Sequence, residues 1–203
     1  MTSSSPVPWP ADSRLYLIAP ARPDLAELLE AAIRGGVDAV QVREKELSDR
    51  ELLERLGEAR EVTRRLGVPL VVNDRPDLAV LCAADFVHVG QEDLSVEAAR
   101  RFGLGVGLST HGPEEIDLAY ADYLGVGPVH ATPTKDGRPP VGLELVRYAA
   151  AHARQPWFAI GGIDSANLAE VVEAGARRVA VLRAICESDD PERAAAALRA
   201  ALP

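Results

Sequence analysis

Two clusters of hydrogen-bond donors stand at the ends of apolar runs. In Gln41-Val42-Arg43-Glu44-Lys45, alternate side chains of an extended segment project Gln41, Arg43 and Lys45 to one side, an amide beside two cations. Thr132-Pro133-Thr134-Lys135 adds two hydroxyls and an ammonium. Lys45 and Lys135 are the only lysines among 22 Lys and Arg residues. Lys carries a compact point charge where Arg carries a planar fork, so lysine retained at these two places suits a phosphate oxygen. The plain alternative is an Arg-biased chain with two leftover surface lysines.

Carboxylates supply the opposite charge. Asp74 and Asp93 each follow a short apolar run. Two carboxylates brought together are unfavourable unless a cation lies between or beside them. Magnesium is the natural ion, since it takes one or two carboxylates and completes its octahedron with water and phosphate oxygens. The competing role for either Asp is to cap the helix that follows it. Asn73 adjoins the first of the pair, and Gly161-Gly162 offers backbone N–H groups to a second anion, or else makes a plain tight turn.

Such groups converge only if the fold gathers them. Eight short apolar runs read as strands: 14–18, 39–43, 69–73, 86–89, 105–108, 122–126, 157–160 and 178–182. Helical patterns lie at 24–33, 51–66, just after Arg75-Pro76, and at 95–102, 113–119, 165–174 and 191–202, with Gly35-Gly36 and Gly67 as stops. This alternation predicts an α/β protein, a single (β/α)8 TIM barrel. An open doubly wound sheet is the rival. It is disfavoured because no Gly-x-Gly-x-x-Gly turn follows the first strand and polar clusters follow nearly every strand. In a barrel the strand ends share one face, which brings residues 41–45, 73–74, 91–93, 109–111, 132–135, 161–162 and 183 into one rim.

Composition excludes several other classes. The 203 residues, 47% hydrophobic, suit one buried core. Residues 1–13 read as a flexible, Ser- and Pro-rich leader and 14–203 as the catalytic barrel. A formal charge of −9 argues against a nucleic-acid partner, and no apolar run approaches membrane-spanning length. Cys82 and Cys186 have no second Cys or His at metal-ligand spacing. The expected partners are small molecules, the expected compartment is the cytoplasm, and a homo-oligomer is compatible with this reading.

Six blocks in order resemble the thiamine phosphate synthase family: residues 41–45 above, Val72-Asn73-Asp74-Arg75, His88-Val89-Gly90-Gln91-Glu92-Asp93, Gly107-Leu108-Ser109-Thr110-His111, 125–135 ending in Lys135, and Ala159-Ile160-Gly161-Gly162-Ile163. The resemblance runs from about Leu15 to Ala201. It implies a (β/α)8 barrel that joins 4-amino-2-methyl-5-hydroxymethylpyrimidine diphosphate to 4-methyl-5-hydroxyethylthiazole phosphate, or its carboxylated form, giving thiamine phosphate and diphosphate. By the same resemblance Gln41, Val42, Arg43, Glu44, Lys45, Asn73, Ser109 and Lys135 bind the pyrimidine diphosphate, and Arg43, Lys45, Ser109 and Lys135 act in catalysis. Asp74 and Asp93 hold Mg2+. Thr132, Pro133, Thr134, Gly162, Leu182 and Arg183 bind the thiazole phosphate. The implied route is dissociative: diphosphate departs and the thiazole nitrogen traps a pyrimidine-stabilised cation. His88 and His111 are then supporting or packed residues.

The chain departs from the family pattern at Arg183, where Ser is common, and at His130, where an aromatic residue is common. Thiazole tautomerase shares the scaffold, but it lacks the metal carboxylate after strand three and has His after the Gly that ends strand six. Here Asp74 is present and Pro128 follows Gly127. A non-catalytic phosphate-binding barrel would show losses along the rim, and none is evident.

Overall fold

A computed structural model describes residues 9–132 and 139–203. Eight parallel strands close in sequence order: β1 Leu15–Ala19, β2 Ala39–Val42, β3 Leu70–Asn73, β4 Phe86–Val89, β5 Gly105–Thr110, β6 Tyr123–Val126, β7 Trp157–Ile160 and β8 Val179–Val181. The seam pairs Leu15 with Val179, Tyr16 with Ala180 and Leu17 with Val181. Helices α1 Leu25–Arg34, α2 Asp49–Leu66, α3 Pro76–Leu81, α4 Val96–Arg100, α5 Pro113–Asp117, α6 Gly142–His152, α7 Leu168–Glu173, α8 Arg183–Cys186 and α9 Pro191–Ala200 lie between the strands and after the last. The (β/α)8 barrel expected from the alternation is the fold.

Strand pleating divides the core into two layers. One set of side chains, including Leu15, Leu17, Val40, Val42, Leu70, Val72, Val87 and Val179, packs with the helices. The alternate set points inward as Tyr16, Ile18, Val71, Phe86, Tyr123, Phe158 and Ala180. Large and small residues alternate around the interior. A Cβ on Gly105 would stand 2.3 Å from the Phe86 ring, and one on Gly107 would stand 2.1 Å from that of Tyr123. Those two glycines of β5 make room for the aromatic rings of β4 and β6.

Polar groups fasten the amino ends of the strands. Asp38, Asp85 and Asp122 directly precede β2, β4 and β6. Their carboxylates accept from the backbone N–H groups of Leu15 (3.0 Å), Leu70 (2.9 Å) and Val106 (2.7 Å), which begin or nearly begin the preceding strands. Arg60 and Arg100 pair with Asp85 and Asp122 at 2.8 and 3.1 Å. α2 starts with a capping box between Ser48 and Glu51 and stops at left-handed Gly67, φ 72°.

Four details differ from the sequence reading. β5 runs on to Thr110, so Ser109 lies within a strand. β2 stops at Val42, before Arg43. α6 and α8 appear where no helix was expected. Part of the supposed leader also belongs to the barrel: Trp9 is buried, with ring centroids 4.0 Å from Tyr123 and 4.9 Å from Phe86, and Ser13 is buried too. Trp9 thus closes the interior aromatic layer, because a large apolar ring gains more inside the barrel than in water.

Removing that ring should be costly. Trp9→Ala is expected to lower stability by at least about 2 kcal/mol. The usual loss of ~3–5 kcal/mol for a buried aromatic is reduced because its indole N–H has no acceptor among the described residues. Urea denaturation measures this, and a change below about 0.5 kcal/mol would place Trp9 outside the barrel in solution.

Candidate active site

A cavity of about 420 Å³ opens at the carboxyl ends of the strands. Gln41 and Arg43 line it from β2 and its loop, Asn73 from β3, His88 from β4, Ser109 from β5, Thr132 after β6, Gly161 and Gly162 after β7, and Leu182 and Arg183 after β8. The fold therefore gathers residues separated by up to 142 positions in sequence, as the strand-end argument requires.

Gln41 is nearly sealed at 2% exposure and donates from Nε2 to the Tyr16 hydroxyl at 2.6 Å. Tyr16 meets the Tyr123 hydroxyl at 2.9 Å, Tyr123 meets His88 Nδ1 at 3.1 Å, and His88 Nε2 meets Ser109 Oγ at 3.0 Å. Burial pushes both phenols well above the ordinary tyrosine range, so both stay protonated. Gln91 donates to the Ser109 carbonyl at 2.7 Å and ties the β4 loop to β5.

The two proposed metal carboxylates come together at the rim, outside the cavity lining. Asp74 occupies left-handed backbone, φ 61°, rare for a residue with a Cβ. Its carboxyl is pushed up to about 6, first by burial and then by hydrogen bonding to and repulsion from Asp93, against the lowering charges of Lys45 and Arg43. Lys45 Nζ lies 3.7 Å from Asp74 Oδ2. Neither aspartate caps a helix: Arg75 occupies the N-cap of α3 without a side-chain bond, and Ser95 caps α4, accepting from Ala98 N–H at 3.2 Å. Asp93 instead accepts from Gly90 N–H at 2.8 Å. Two carboxylates held against each other, one resisting ionisation, fit a divalent cation that uses few protein ligands. Among the described residues no group of three or more His, Cys, Asp or Glu side chains is placed to hold a metal.

Not every residue of the first cluster faces the cavity. The Val42 side chain is buried against the helix layer, and the Glu44 carboxylate accepts from the backbone N–H groups of Lys45 (2.7 Å) and Glu46 (2.8 Å). Glu44 therefore shapes the turn that presents Lys45. Pro133, Thr134 and Lys135 lie outside the described residues. His111 also lines the cavity; its Nδ1 meets the Gly127 carbonyl and its backbone N–H donates to Glu115, while His130 Nε2 lies 3.5 Å from Glu170.

Opposite the carboxylates, Gly161 and Gly162 have φ of 104° and 63°. A Cβ on Gly162 would lie 2.8 Å from both the Ala131 carbonyl oxygen and the His130 Cβ, so only glycine lets the two loops close there. Arg183 is the first residue of α8. It lines the cavity and forms no ion pair with Glu187, Asp164 or any other described carboxylate.

Fold and site together define a small (β/α)8 barrel with an anion-suited cavity at the carboxyl ends of its strands. The model of the family "Thiamine monophosphate synthase" matches residues 15–185. A thiamine-phosphate synthase of Thermus thermophilus is 53% identical over 197 residues, covering 92% of this chain and 95% of its own. That of Acidothermus cellulolyticus is 49% identical over 203 residues, covering 95% and 96%. Among solved structures, thiamine phosphate pyrophosphorylase from Pyrococcus furiosus superposes with a TM-score of 0.85 at 35% identity, over 93% of this chain and 94% of its own. A 3-hexulose-6-phosphate synthase at 22% identity and TM-score 0.65 shares the fold alone. The chain belongs to the thiamine monophosphate synthase family, whose members make it a transferase enzyme of thiamine biosynthesis. Among the described residues no helix is long and apolar enough to cross a membrane.

Proposed function

We propose that the protein condenses 4-amino-2-methyl-5-hydroxymethylpyrimidine diphosphate with 4-methyl-5-hydroxyethylthiazole phosphate or its carboxylated form, in the presence of Mg2+, to give thiamine phosphate and diphosphate. The observation that carries this reading is the Asp74–Asp93 pair beside Lys45 and Arg43, next to a cavity with Gln41, Asn73 and Ser109 on one side and Gly162 and Arg183 on the other.

Division of labour follows charge. Asp74 and Asp93 would hold magnesium, which when bound supplies positive charge to the diphosphate. Arg43 and Lys45, with Lys135, neutralise the charge that grows on the leaving group. Gln41 and Ser109 orient the pyrimidine by hydrogen bonds. No base or nucleophile is needed, and His88 and His111, which line the cavity, would support the residues around the pyrimidine. The Gly162 backbone, Thr132 and Arg183 hold the thiazole phosphate across the cavity. A magnesium titration tests the reading: activity should saturate with Mg2+ and vanish in EDTA, whereas a tautomerase-like or purely binding barrel would be indifferent to the ion.

Arg183 gives a sharper test of the second subsite. Arg183→Ser should raise KM for the thiazole phosphate about tenfold or more, the scale of one charged hydrogen bond, with the pyrimidine KM nearly unchanged. An unmoved thiazole KM together with a lower melting temperature would assign Arg183 to the scaffold.

A further inference from the structure

Arg75 adjoins Asp74 in the chain but does not line the cavity. Its guanidinium is shared by two carboxylates. Nη1 and Nη2 donate to the two oxygens of Asp49 at 2.6 and 3.0 Å, while Nε and Nη2 donate to those of Asp77 at 2.9 and 2.7 Å. Asp49 is the first residue of α2 and Asp77 the second of α3. The hydrogen bonds from Arg75 hold both carboxyls below their ordinary range. A single exposed ion pair contributes little, but a forked arginine spanning two carboxylates fixes geometry as well as charge.

Both ends of this clamp lead to the candidate metal site. Asp74 holds left-handed backbone, φ 61°, a strained state for a residue with a Cβ that persists only where its surroundings over-determine it. The Asp74 N–H donates to the His88 carbonyl at 2.8 Å, the Arg75 N–H donates to that of Asn73 at 2.8 Å, and the Arg75 side chain anchors the next residue to α2. Lys45 stands four residues before Asp49. The stretch between them is stiffened by the Glu44 turn and the Ser48–Glu51 capping box. Two ion pairs therefore join the β2 and β3 loops, Lys45 with Asp74 at 3.7 Å and Arg75 with Asp49 at 2.6 Å. A cation on Asp74 and a diphosphate on Lys45 would compete with the first pair, and the second would keep the loops in register.

We infer that Arg75 is a positioning residue: by clamping Asp49 at the start of α2 to Asp77 at the start of α3, it holds the Asp74 carboxylate beside Asp93 and Lys45, where a divalent cation binds. The inference rests on the magnesium reading above. Arg75 touches neither the metal nor the reacting atoms. Charge alone gives the opposite expectation, since a guanidinium one residue from Asp74 repels Mg2+ and its removal would tighten binding. Positioning requires that its removal weaken binding instead.

The test uses Mn2+ alone as the probe, with bound ion measured by the loss of the free-ion EPR signal on adding wild type, Arg75→Gln, Asp49→Asn or the double variant. Each single variant should raise the Mn2+ Kd about tenfold, the scale for a group that orients a metal ligand. The double variant should bind no more weakly than the singles, because all three cut the same tie. The Mg2+ concentration for half-maximal activity should rise in step, with the thiazole phosphate KM unchanged. Arg75→Lys keeps the charge and loses the fork, so it should weaken Mn2+ binding as well, and it serves if Arg75→Gln does not fold. Unchanged or tighter Mn2+ binding in a folded Arg75 variant, or a loss in the double variant equal to the product of the two single losses, would overturn the inference. Wild type that binds no Mn2+ would instead overturn the magnesium reading on which it rests.

Discussion

Asp74→Asn and Asp93→Asn are each expected to lower turnover by at least about 10²-fold while the barrel stays folded, the loss that follows removal of a main electrostatic contributor to a transition state. The expectation rests on two carboxylates drawn together at the rim when neither caps the helix beside it. Stability should move the other way. Folding raises the Asp74 carboxyl from an ordinary value of 3.8 to about 6, so without metal its ionisation opposes folding as pH rises through that window and continues to do so at neutral pH. In EDTA at pH 7, Asp74→Asn should therefore melt at or above the wild-type temperature while remaining nearly inactive with added Mg2+. Wild-type rates for both variants with added Mg2+ would refute the metal assignment.

The second large effect belongs to the lysines. Lys45→Gln should reduce kcat by about tenfold to a hundredfold with little change in thiazole phosphate affinity, because its charge acts on the departing diphosphate. Lys135→Gln should show the same split between kcat and thiazole affinity. Arg at either place should rescue poorly, since a planar fork does not replace a compact ammonium. Steady-state kinetics with each substrate varied in turn decides the matter. Equal losses of thiazole affinity with an unchanged bond-forming rate would move both lysines to the other subsite.

The barrel was legible because its strands are short, continuous apolar runs bounded by turn residues, and because Gly67 and the Ser48 cap punctuate α2. α6 was not. Leu145, Val146 and Ala149 form its buried stripe, but it starts at Gly142 in left-handed backbone, φ 69°, and Val141 offers no capping side chain. α8 spans only Arg183–Cys186, too short for a periodic signal. Trp9 was hidden by its Ser- and Pro-rich neighbours, although a lone Trp there was itself a hint.

At the site, Gln41 and Arg43 both line the cavity, whereas Lys45, grouped with them by alternation in the sequence, lies with Asp74 at the rim. Whether Asp74 and Asp93 serve as caps or as a pair depends on backbone angles at residues 74 and 93–95, which residue types alone leave open. The Tyr16–Tyr123–His88 chain links β1, β6 and β4, and nothing local in any of those segments reveals that their side chains meet across the interior. Val42 and Glu44 show the limit of carrying a motif over as a block: one packs outward and the other caps its own turn.

The most direct measurement incubates the purified protein with the pyrimidine diphosphate, either form of the thiazole phosphate, and Mg2+, and quantifies thiamine phosphate and diphosphate together. The two products should appear in equal amounts, only when both substrates and the metal are present. No thiamine phosphate from either thiazole form would contradict the account.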